Sequence, residues 1–148
     1  MRIYVDTSVL MTAHTREPHA DLAQAWLVAQ SSGGLILSTW ALVKCGDAVA
    51  IKRRHGEIDA DGQAGAIADV SAFTARFSPF IAPMEEDYQR ARTLCRHAAS
   101  GLRAGDALHF AMTLRWDITH FATPGRVLAT NALAHGLATP VMPPSTGA

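Results

Sequence analysis

The sequence predicts a layered α/β fold, with a mostly parallel sheet of four to five short strands flanked by helices. Short apolar runs that suit buried strands recur along the chain, and a longer segment with helical signals separates each run from the next. The length of 148 residues fits one domain, and the chain contains no internal repeat. We therefore expect a single domain over residues 1–142 and a loose C-terminal tail over residues 143–148.

The strand candidates are short, and turn-forming residues bound them. A Gly-Gly pair precedes the second run, and a proline stands on either side of the third. The predicted strands are residues 2–5, 35–37, 80–82 and 118–122, with a further candidate at residues 141–142. Helical crossovers between such strands favour parallel pairing.

Caps and helix breakers define the predicted helices. Ser38 or Thr39 suits an N-cap, and three carboxylates from Glu85 onwards suit the first turn of another helix. Gly101 breaks that helix, and Gly136 suits a C-terminal cap. The predicted helices cover about residues 7–11, 18–30, 38–54, 61–77 and 85–100, then one that ends near residue 115 and one that ends near residue 135.

Composition and charge exclude several classes of protein. Hydrophobic residues make up 49% of the chain and charged residues 18%, which is typical of a globular protein and not of a disordered one. No apolar run approaches the roughly 18 residues of a membrane span. Asp6 comes too early for a signal peptide, so we expect a cytoplasmic protein.

The balance of charge neither supports nor excludes a nucleic-acid partner. Thirteen Lys and Arg residues face thirteen Asp and Glu residues, so the formal net charge is zero. A local basic groove remains compatible with this balance. The basic run at residues 52–55 is best explained as a solvated helix end, with phosphate contact as the alternative.

Polar residues follow three of the predicted strands. Asp6 ends the first strand, Ser38 and Thr39 follow the second, and Thr123 follows the fourth. In a parallel sheet the functional site lies beyond the carboxyl ends of the strands. Asp106, near the start of a later helix, adds a second carboxylate of the kind that Mg²⁺ prefers. The alternative roles are a helix cap for Asp6 and a partner of the helix dipole for Asp106.

Three segments resemble the PIN-domain family, and within it the VapC-type ribonuclease toxins of bacterial toxin–antitoxin pairs. They are residues 3–10 (IYVDTSVL), residues 38–52 and residues 101–111 (GLRAGDALHFA). The resemblance covers essentially the whole chain and implies a PIN-like three-layer fold. It also implies metal-dependent RNA cleavage, in which usually four acids hold one or two Mg²⁺ or Mn²⁺ ions that activate a water molecule.

Two of the four acids of the family are missing here. Asp6 matches the first acid and Asp106 the third, but Lys44 stands at the second position and Gly125 at the fourth. An ammonium group that faces the site opposes a divalent cation. We therefore expect a degenerate site in which the Lys44 ammonium lies between Asp6 and Asp106 and replaces the charge of the metal. The alternative is a surface lysine without a partner.

Further residues are candidates for supporting roles. Asp47 is either a substitute for the lost acid or an ion-pair partner of Lys44 on the same helix. Thr123 is a candidate for orienting a water molecule or a phosphate. Arg103 and Arg126 flank the predicted site and are the candidates for contact with the RNA backbone.

The expected function is therefore that of a VapC-type RNA endonuclease whose activity is weakened or lost. Its cofactor is Mg²⁺ or Mn²⁺ if it is active, and none if Lys44 replaces the metal charge. The alternative is a catalytically silent PIN domain that binds RNA or a protein. A third interpretation, in which Lys44 merely attenuates a working toxin, is at odds with Gly125 at the fourth position. The resemblance implies RNA, an antitoxin and a second copy of the chain as partners, and no membrane.

Overall fold

The computed structural model describes residues 1–30, 33–76 and 80–140. Within these residues the sheet has three strands: β1 (Ile3–Val5), β2 (Leu35–Ile36) and β3 (His120–Ala122). All pairs are parallel, and the strand order is β2-β1-β3. Tyr4 of β1 lies opposite Ile36 on one side and Phe121 on the other. The mixed α/β fold class predicted from the sequence is thus confirmed.

Helices make up most of the described chain. They are α1 (Thr7–His14), α2 (Ala20–Gln30), α3 (Thr39–Arg54), α4 (Ala60–Thr74), α5 (Glu85–Arg96), α6 (Ala104–Arg115) and α7 (Arg126–Ala134), with a short 3₁₀ turn at Ala98–Ser100. No helix in the described part of the chain is long and apolar enough to cross a membrane.

The third predicted strand forms only one bridge. Ile81 pairs with Ser38 in parallel, through hydrogen bonds from Ile81 to Leu37 and from Thr39 to Ile81. Pro83 follows closely and has no N–H with which to continue a ladder. The predicted strand at residues 141–142 and the predicted tail at residues 143–148 lie outside the described residues.

Local signals explain most helix boundaries. The Ser38 hydroxyl accepts a hydrogen bond from the Ala41 amide at 3.0 Å, so Ser38 is the N-cap of α3, as predicted. The predicted helix at residues 85–100 ends earlier, because His97 leaves the helical conformation. Gly101 then adopts φ +68°, a left-handed conformation that favours glycine.

The sheet separates two apolar cores. Ile3 and Val5 pack into one core with buried residues of α1, α2, α3 and α4. Tyr4 points to the opposite face and packs with buried residues of α6 and α7 and with Ala91 of α5. Successive side chains of a strand point to opposite faces, so the three residues of β1 join both layers of helices. The carboxyl end of β1 therefore lies between these layers.

Candidate functional site

Asp6 and Thr123 meet at the carboxyl ends of β1 and β3, as predicted. The Thr123 hydroxyl donates a hydrogen bond to Oδ2 of Asp6 at 3.0 Å, and the Ser8 hydroxyl donates to the same oxygen. Asp6 is only 3% exposed. It stands at the N-cap position of α1, but its side chain makes no capping hydrogen bond. Its carboxylate is therefore held toward the site by two hydroxyl groups.

Lys44 and Asp106 form the ion pair at the opening of the site. Nζ of Lys44 lies 2.6 Å from Oδ1 of Asp106, and the two side chains are 28% and 29% exposed. Of the two acids between which we place Lys44 in the sequence analysis, its ammonium forms an ion pair, among the described residues, with Asp106 and none with Asp6. The long stem of Lys44 starts from α3, next to α6, and Asp6 is buried behind its own hydroxyl donors. The tethered cation therefore neutralises one of the two carboxylates.

Neighbouring residues hold the lysine in place. The Trp40 indole, one turn before Lys44 on α3, donates a hydrogen bond to the Gly105 carbonyl at 3.0 Å. A Cβ placed at Gly105 would lie 3.4–3.6 Å from the last three atoms of the Lys44 side chain. The side chain of Lys44 therefore passes directly over the Gly105 backbone at the start of α6.

A buried polar network supports Asp6 from below. His109 is fully buried, and its ring nitrogens contact the Tyr4 hydroxyl and, at 3.1 Å, the Thr7 hydroxyl. Its Nε2 also lies 3.8 Å from Oδ1 of Asp6. Burial, together with the nearby Lys44 ammonium, lowers the pKa of His109 to about 3, so the ring is neutral at pH 7. Burial likewise raises the pKa of Tyr4, which keeps its hydroxyl protonated.

The site opens into a cleft of about 630 Å³ that runs between α1 and α3. Five carboxylates and two lysines line it. They are Asp6, Glu17, Asp47, Glu57 and Asp106, with Lys44 and Lys52. These charges leave three negative charges in excess.

Lys52 occupies the far end of the cleft. The sequence does not predict that this lysine lies in the same cleft as Lys44. Nζ of Lys52 lies 2.9 Å from Glu17 and 3.3 Å from Glu57, so this member of the basic run is neither solvated nor free for phosphate. Burial lowers the pKa of Lys52, but the combined contacts with Glu17 and Glu57 outweigh burial and raise it above its usual value. The eight-residue spacing to Lys44, about 2.2 turns of α3, keeps the two lysines on the same broad face of the helix and was the available signal.

The remaining predicted site residues occupy different positions around the cleft. Asp47 lines it but is 69% exposed, and its ion-pair contact is with Arg54 at 4.0 Å instead of Lys44. Gly125 lines the cleft at the N-cap of α7. Arg103 precedes α6, Arg126 begins α7, and both are exposed outside the cleft lining.

These residues do not fit a divalent metal centre. In the described part of the chain no group of three or more His, Cys, Asp or Glu side chains is placed to hold a metal ion. Asp106 is bound to the Lys44 ammonium, and Asp6 already accepts two hydrogen bonds on Oδ2. The positions implied for two further acids hold Lys44 and Gly125.

Comparison with known proteins identifies the fold. No protein-family model and no curated protein matches the sequence. Among solved structures, VapBC2 from Rickettsia felis bound to a DNA fragment from their promoter matches 97% of this chain and 100% of that chain, with a TM-score of 0.68 and 11% identity. VapC20 from Mycobacterium tuberculosis, described as a sarcin-ricin loop cleaving toxin, matches 86% of this chain and 94% of that chain, with a TM-score of 0.64 and 22% identity. The chain thus has the PIN fold of VapC-type toxins.

Proposed function

We propose that this protein is a VapC-type PIN-fold protein in which metal-dependent RNA cleavage is weakened or lost. The observation that carries the proposal is the 2.6 Å ion pair between Lys44 and Asp106. It places a covalently tethered cation on one of the two remaining family acids. The protein keeps the scaffold of a nuclease, and its own lysine competes with the metal ion that the reaction requires.

Electrostatics make this competition severe. Two unit charges about 4 Å apart interact by roughly 4 kcal/mol at an effective dielectric constant near 20, and a divalent ion doubles that repulsion. A difference of about 1.4 kcal/mol changes an affinity tenfold. Lys44 also takes the place of a carboxylate, so the site loses an attraction and gains a repulsion. Solvent at this partly exposed position reduces both effects without changing their sign.

The other candidate ligands do not compensate for this loss. Asp47 is mostly exposed and turned toward Arg54, and Gly125 has no side chain. The Thr123 hydroxyl already donates to Asp6, so its proposed role is to orient that carboxylate.

The proposed biological setting follows the structures that share the fold. A structure of VapBC2 on a promoter fragment suggests an antitoxin-like partner for this chain. A second copy of the chain is the other proposed partner, and the cytoplasm the proposed location. These proposals depend on the resemblance and not on a contact within the chain.

An RNA cleavage assay tests the proposed function. The natural protein, Lys44→Glu, Asp6→Ala and the double variant Lys44→Glu/Gly125→Asp would be compared with Mg²⁺, with Mn²⁺ and with chelator. We expect little or no cleavage by the natural protein and at least about tenfold more by Lys44→Glu, since each 1.4 kcal/mol is about tenfold in rate. Arg53→Glu, the same reversal of charge at an exposed position further along α3, is the matched control and should leave cleavage low.

Two other outcomes have distinct meanings. Cleavage by the natural protein that both chelator and Asp6→Ala abolish would contradict the proposal, because two family acids would then suffice. Silence in every variant would favour the alternative, a PIN domain that acts only as a binding module.

A further inference from the structure

A chain of buried hydrogen bonds connects the start of α3 to the cleft. The Ala41 amide donates to the Ser38 hydroxyl oxygen at 3.0 Å, and that hydroxyl lies 2.7 Å from the Tyr4 hydroxyl. The Tyr4 hydroxyl also contacts Nδ1 of His109, whose Nε2 lies 3.1 Å from the Thr7 hydroxyl. Ser38, Tyr4 and His109 are all fully buried, so each of their hydrogens needs an acceptor within this chain of bonds.

The direction of these hydrogen bonds is fixed at Ser38. Its oxygen accepts from the Ala41 amide, and an amide N–H cannot accept a bond in return. Among the described residues, the Tyr4 oxygen is the one acceptor within reach of the Ser38 hydroxyl, so Ser38 donates to Tyr4. The opposite direction would leave the Ser38 hydrogen buried without a partner, which native proteins rarely tolerate.

The same reasoning assigns the hydrogen on the His109 ring. Because the Tyr4 oxygen accepts from Ser38, the Tyr4 hydrogen is donated to Nδ1, which must therefore be bare. The ring then carries its hydrogen on Nε2. This N–H faces the Thr7 hydroxyl at 3.1 Å and Oδ1 of Asp6 at 3.8 Å. The negative charge of Asp6 favours the same tautomer.

The Thr7 hydroxyl is left with a hydrogen that no described part of the chain accepts. Its oxygen accepts from the His109 ring and makes no other hydrogen bond there, and Thr7 lines the cleft beside Asp6. The hydroxyls of Ser8 and Thr123 instead both donate to Oδ2 of Asp6. Oδ1 of Asp6 has its nearest described donor at 3.8 Å, beyond hydrogen-bond distance. The cleft thus offers a donor from Thr7 next to an acceptor on Asp6.

We propose that His109 is a positioning residue, which turns the Thr7 hydroxyl into the cleft as the donor to a bound hydroxyl group. A hydroxyl group accepts one hydrogen bond and donates another, so it fits between Thr7 and Oδ1 of Asp6. Water and small alcohols both carry such a group. His109 sets the direction of the hydrogen bond, and Thr7 contacts the ligand. This site needs neither RNA nor a metal ion, so it goes beyond the proposed function and does not depend on the cleavage assay.

Nitrogen NMR of the natural protein tests the position of the hydrogen on His109. In protein labelled with nitrogen-15 histidine, a protonated ring nitrogen and a bare one resonate at clearly different frequencies. The spectrum of His109→Gln identifies the signals of this ring by their loss. We expect Nε2 to be protonated and Nδ1 to be bare at pH 7. A ring that is protonated on Nδ1, or on both nitrogens, would overturn the proposal.

Neutron diffraction from crystals exchanged into heavy water tests the ligand, because it locates hydroxyl hydrogens, which X-ray structures at ordinary resolution do not show. We expect the Thr7 hydroxyl to point away from the His109 ring, toward a bound oxygen within hydrogen-bond distance of Oδ1 of Asp6. A second crystal soaked in glycerol distinguishes the two sources, since the oxygen either stays a water molecule or gives way to a glycerol hydroxyl. A Thr7 hydroxyl that points to Nε2, or a cleft without this bound oxygen, would overturn the proposal.

Variants of Thr7 test its contact with the ligand. Thr7→Ser keeps the hydroxyl and should keep the bound oxygen in a crystal structure, whereas Thr7→Val should lose it. Thr113→Val is the matched control, because it removes a buried hydroxyl that donates within α6 and should leave the cleft unchanged. A bound oxygen that persists in Thr7→Val would contradict the assignment.

Variants of His109 separate positioning from support of the fold. Glutamine can place a donor where Nε2 lies, and asparagine, which is shorter, cannot. His109→Gln should therefore keep the bound oxygen, and His109→Asn should lose most of its occupancy. Thermal unfolding of both variants would show that they are folded. Equal occupancy in the two would reduce His109 to a purely structural role and overturn its assignment as a positioning residue.

Discussion

The two ends of the cleft use the same residue type in different ways. At the inner end Lys44 pairs with one acid, Asp106, in front of a buried carboxylate and a buried neutral histidine. At the outer end Lys52 is shared between two glutamates, one from the α1–α2 loop and one from the α3–α4 turn. Both lysines come from α3, eight residues apart.

The two lysines therefore have different roles: Lys52 links segments of the surface, whereas Lys44 occupies a position where the resemblance implies an acid. Lys52 links α3 to the α1–α2 loop and to the α3–α4 turn through its two ion pairs, and the resemblance implies no acid at its position. Lys44 stands where the PIN resemblance calls for a carboxylate, at the edge of a polar network that still orients Asp6. On the proposed function, the inner end keeps the buried polar groups that hold Asp6 and carries a cation where the resemblance implies a metal ligand.

The largest effect on stability should come from a change in the buried polar network beneath Asp6. His109→Ala would remove a fully buried side chain and its contacts with Tyr4 and Thr7. We expect a loss of about 3 kcal/mol in the free energy of unfolding, from the cavity and the unpaired hydroxyls together. Urea denaturation would measure it. His55→Ala, at an exposed position near the outer end, should cost less than about 0.5 kcal/mol.

Low pH should reduce the free energy of unfolding through the buried His109 ring. The native pKa of His109 is about 3, against 6.5 in the unfolded chain, so below pH 6.5 the unfolded state binds a proton that the folded state does not. Stability from this group is complete above pH 6.5 and falls by roughly 1.4 kcal/mol per pH unit below it. Between pH 7 and pH 5 the natural protein should lose about 2 kcal/mol more than His109→Phe. Parallel pH profiles of the two proteins would contradict the assignment. Tyr4, Asp6 and Lys44 face the ring and remain in both proteins.

The hydroxyl of Thr123 offers a finer test of how Asp6 is held. Thr123→Val would remove the donor to the carboxylate and the acceptor for the Gly125 amide. We expect a cost of about 1.5 kcal/mol, since the lost bond is made to a charged group. Thr113→Val is a matched control, because its hydroxyl is equally buried but donates to the Phe110 carbonyl inside a helix. If both variants cost the same in denaturation experiments, Thr123 has no special role at Asp6.

The smallest expected effects distinguish the two lysines directly. Lys52→Met should cost about 1 kcal/mol, because it leaves Glu17, only 15% exposed, without its cation. Lys44→Met should cost less, about 0.5 kcal/mol, because Asp106 is nearly one-third exposed and can be solvated. Both losses should shrink in high salt. A larger cost for Lys44→Met would mean that its ion pair is chiefly structural.

The sequence predicted the framework of the site well. Strand ends are visible as apolar runs that stop at polar residues, and parallel pairing brings such ends together, which is why Asp6 and Thr123 meet. The N-cap at Ser38 was equally readable, since it follows from the local sequence.

The choices of partner among charged side chains were not predictable in the same way. Lys44 was expected to lie between two acids and Asp47 was offered as its partner, yet Lys44 binds Asp106 and Asp47 turns to Arg54. The ion-pair partner of a long, flexible side chain depends on which helices pack beside it, and the residue spacing along a single helix carries no information about that packing. The third predicted strand failed for a local reason, since Pro83 limits it to a single bridge.

The most direct test of the central claim is Mn²⁺ binding, measured by calorimetry or by the loss of the free-ion electron paramagnetic resonance signal. The natural protein and Lys44→Glu would be titrated side by side, with Arg53→Glu, a change at an exposed position of α3, as the control. The account predicts no binding to the natural protein or to Arg53→Glu at millimolar Mn²⁺, and one stoichiometric site in Lys44→Glu. Stoichiometric binding to the natural protein that Asp6→Ala abolishes would contradict the claim that Lys44 takes the place of the metal.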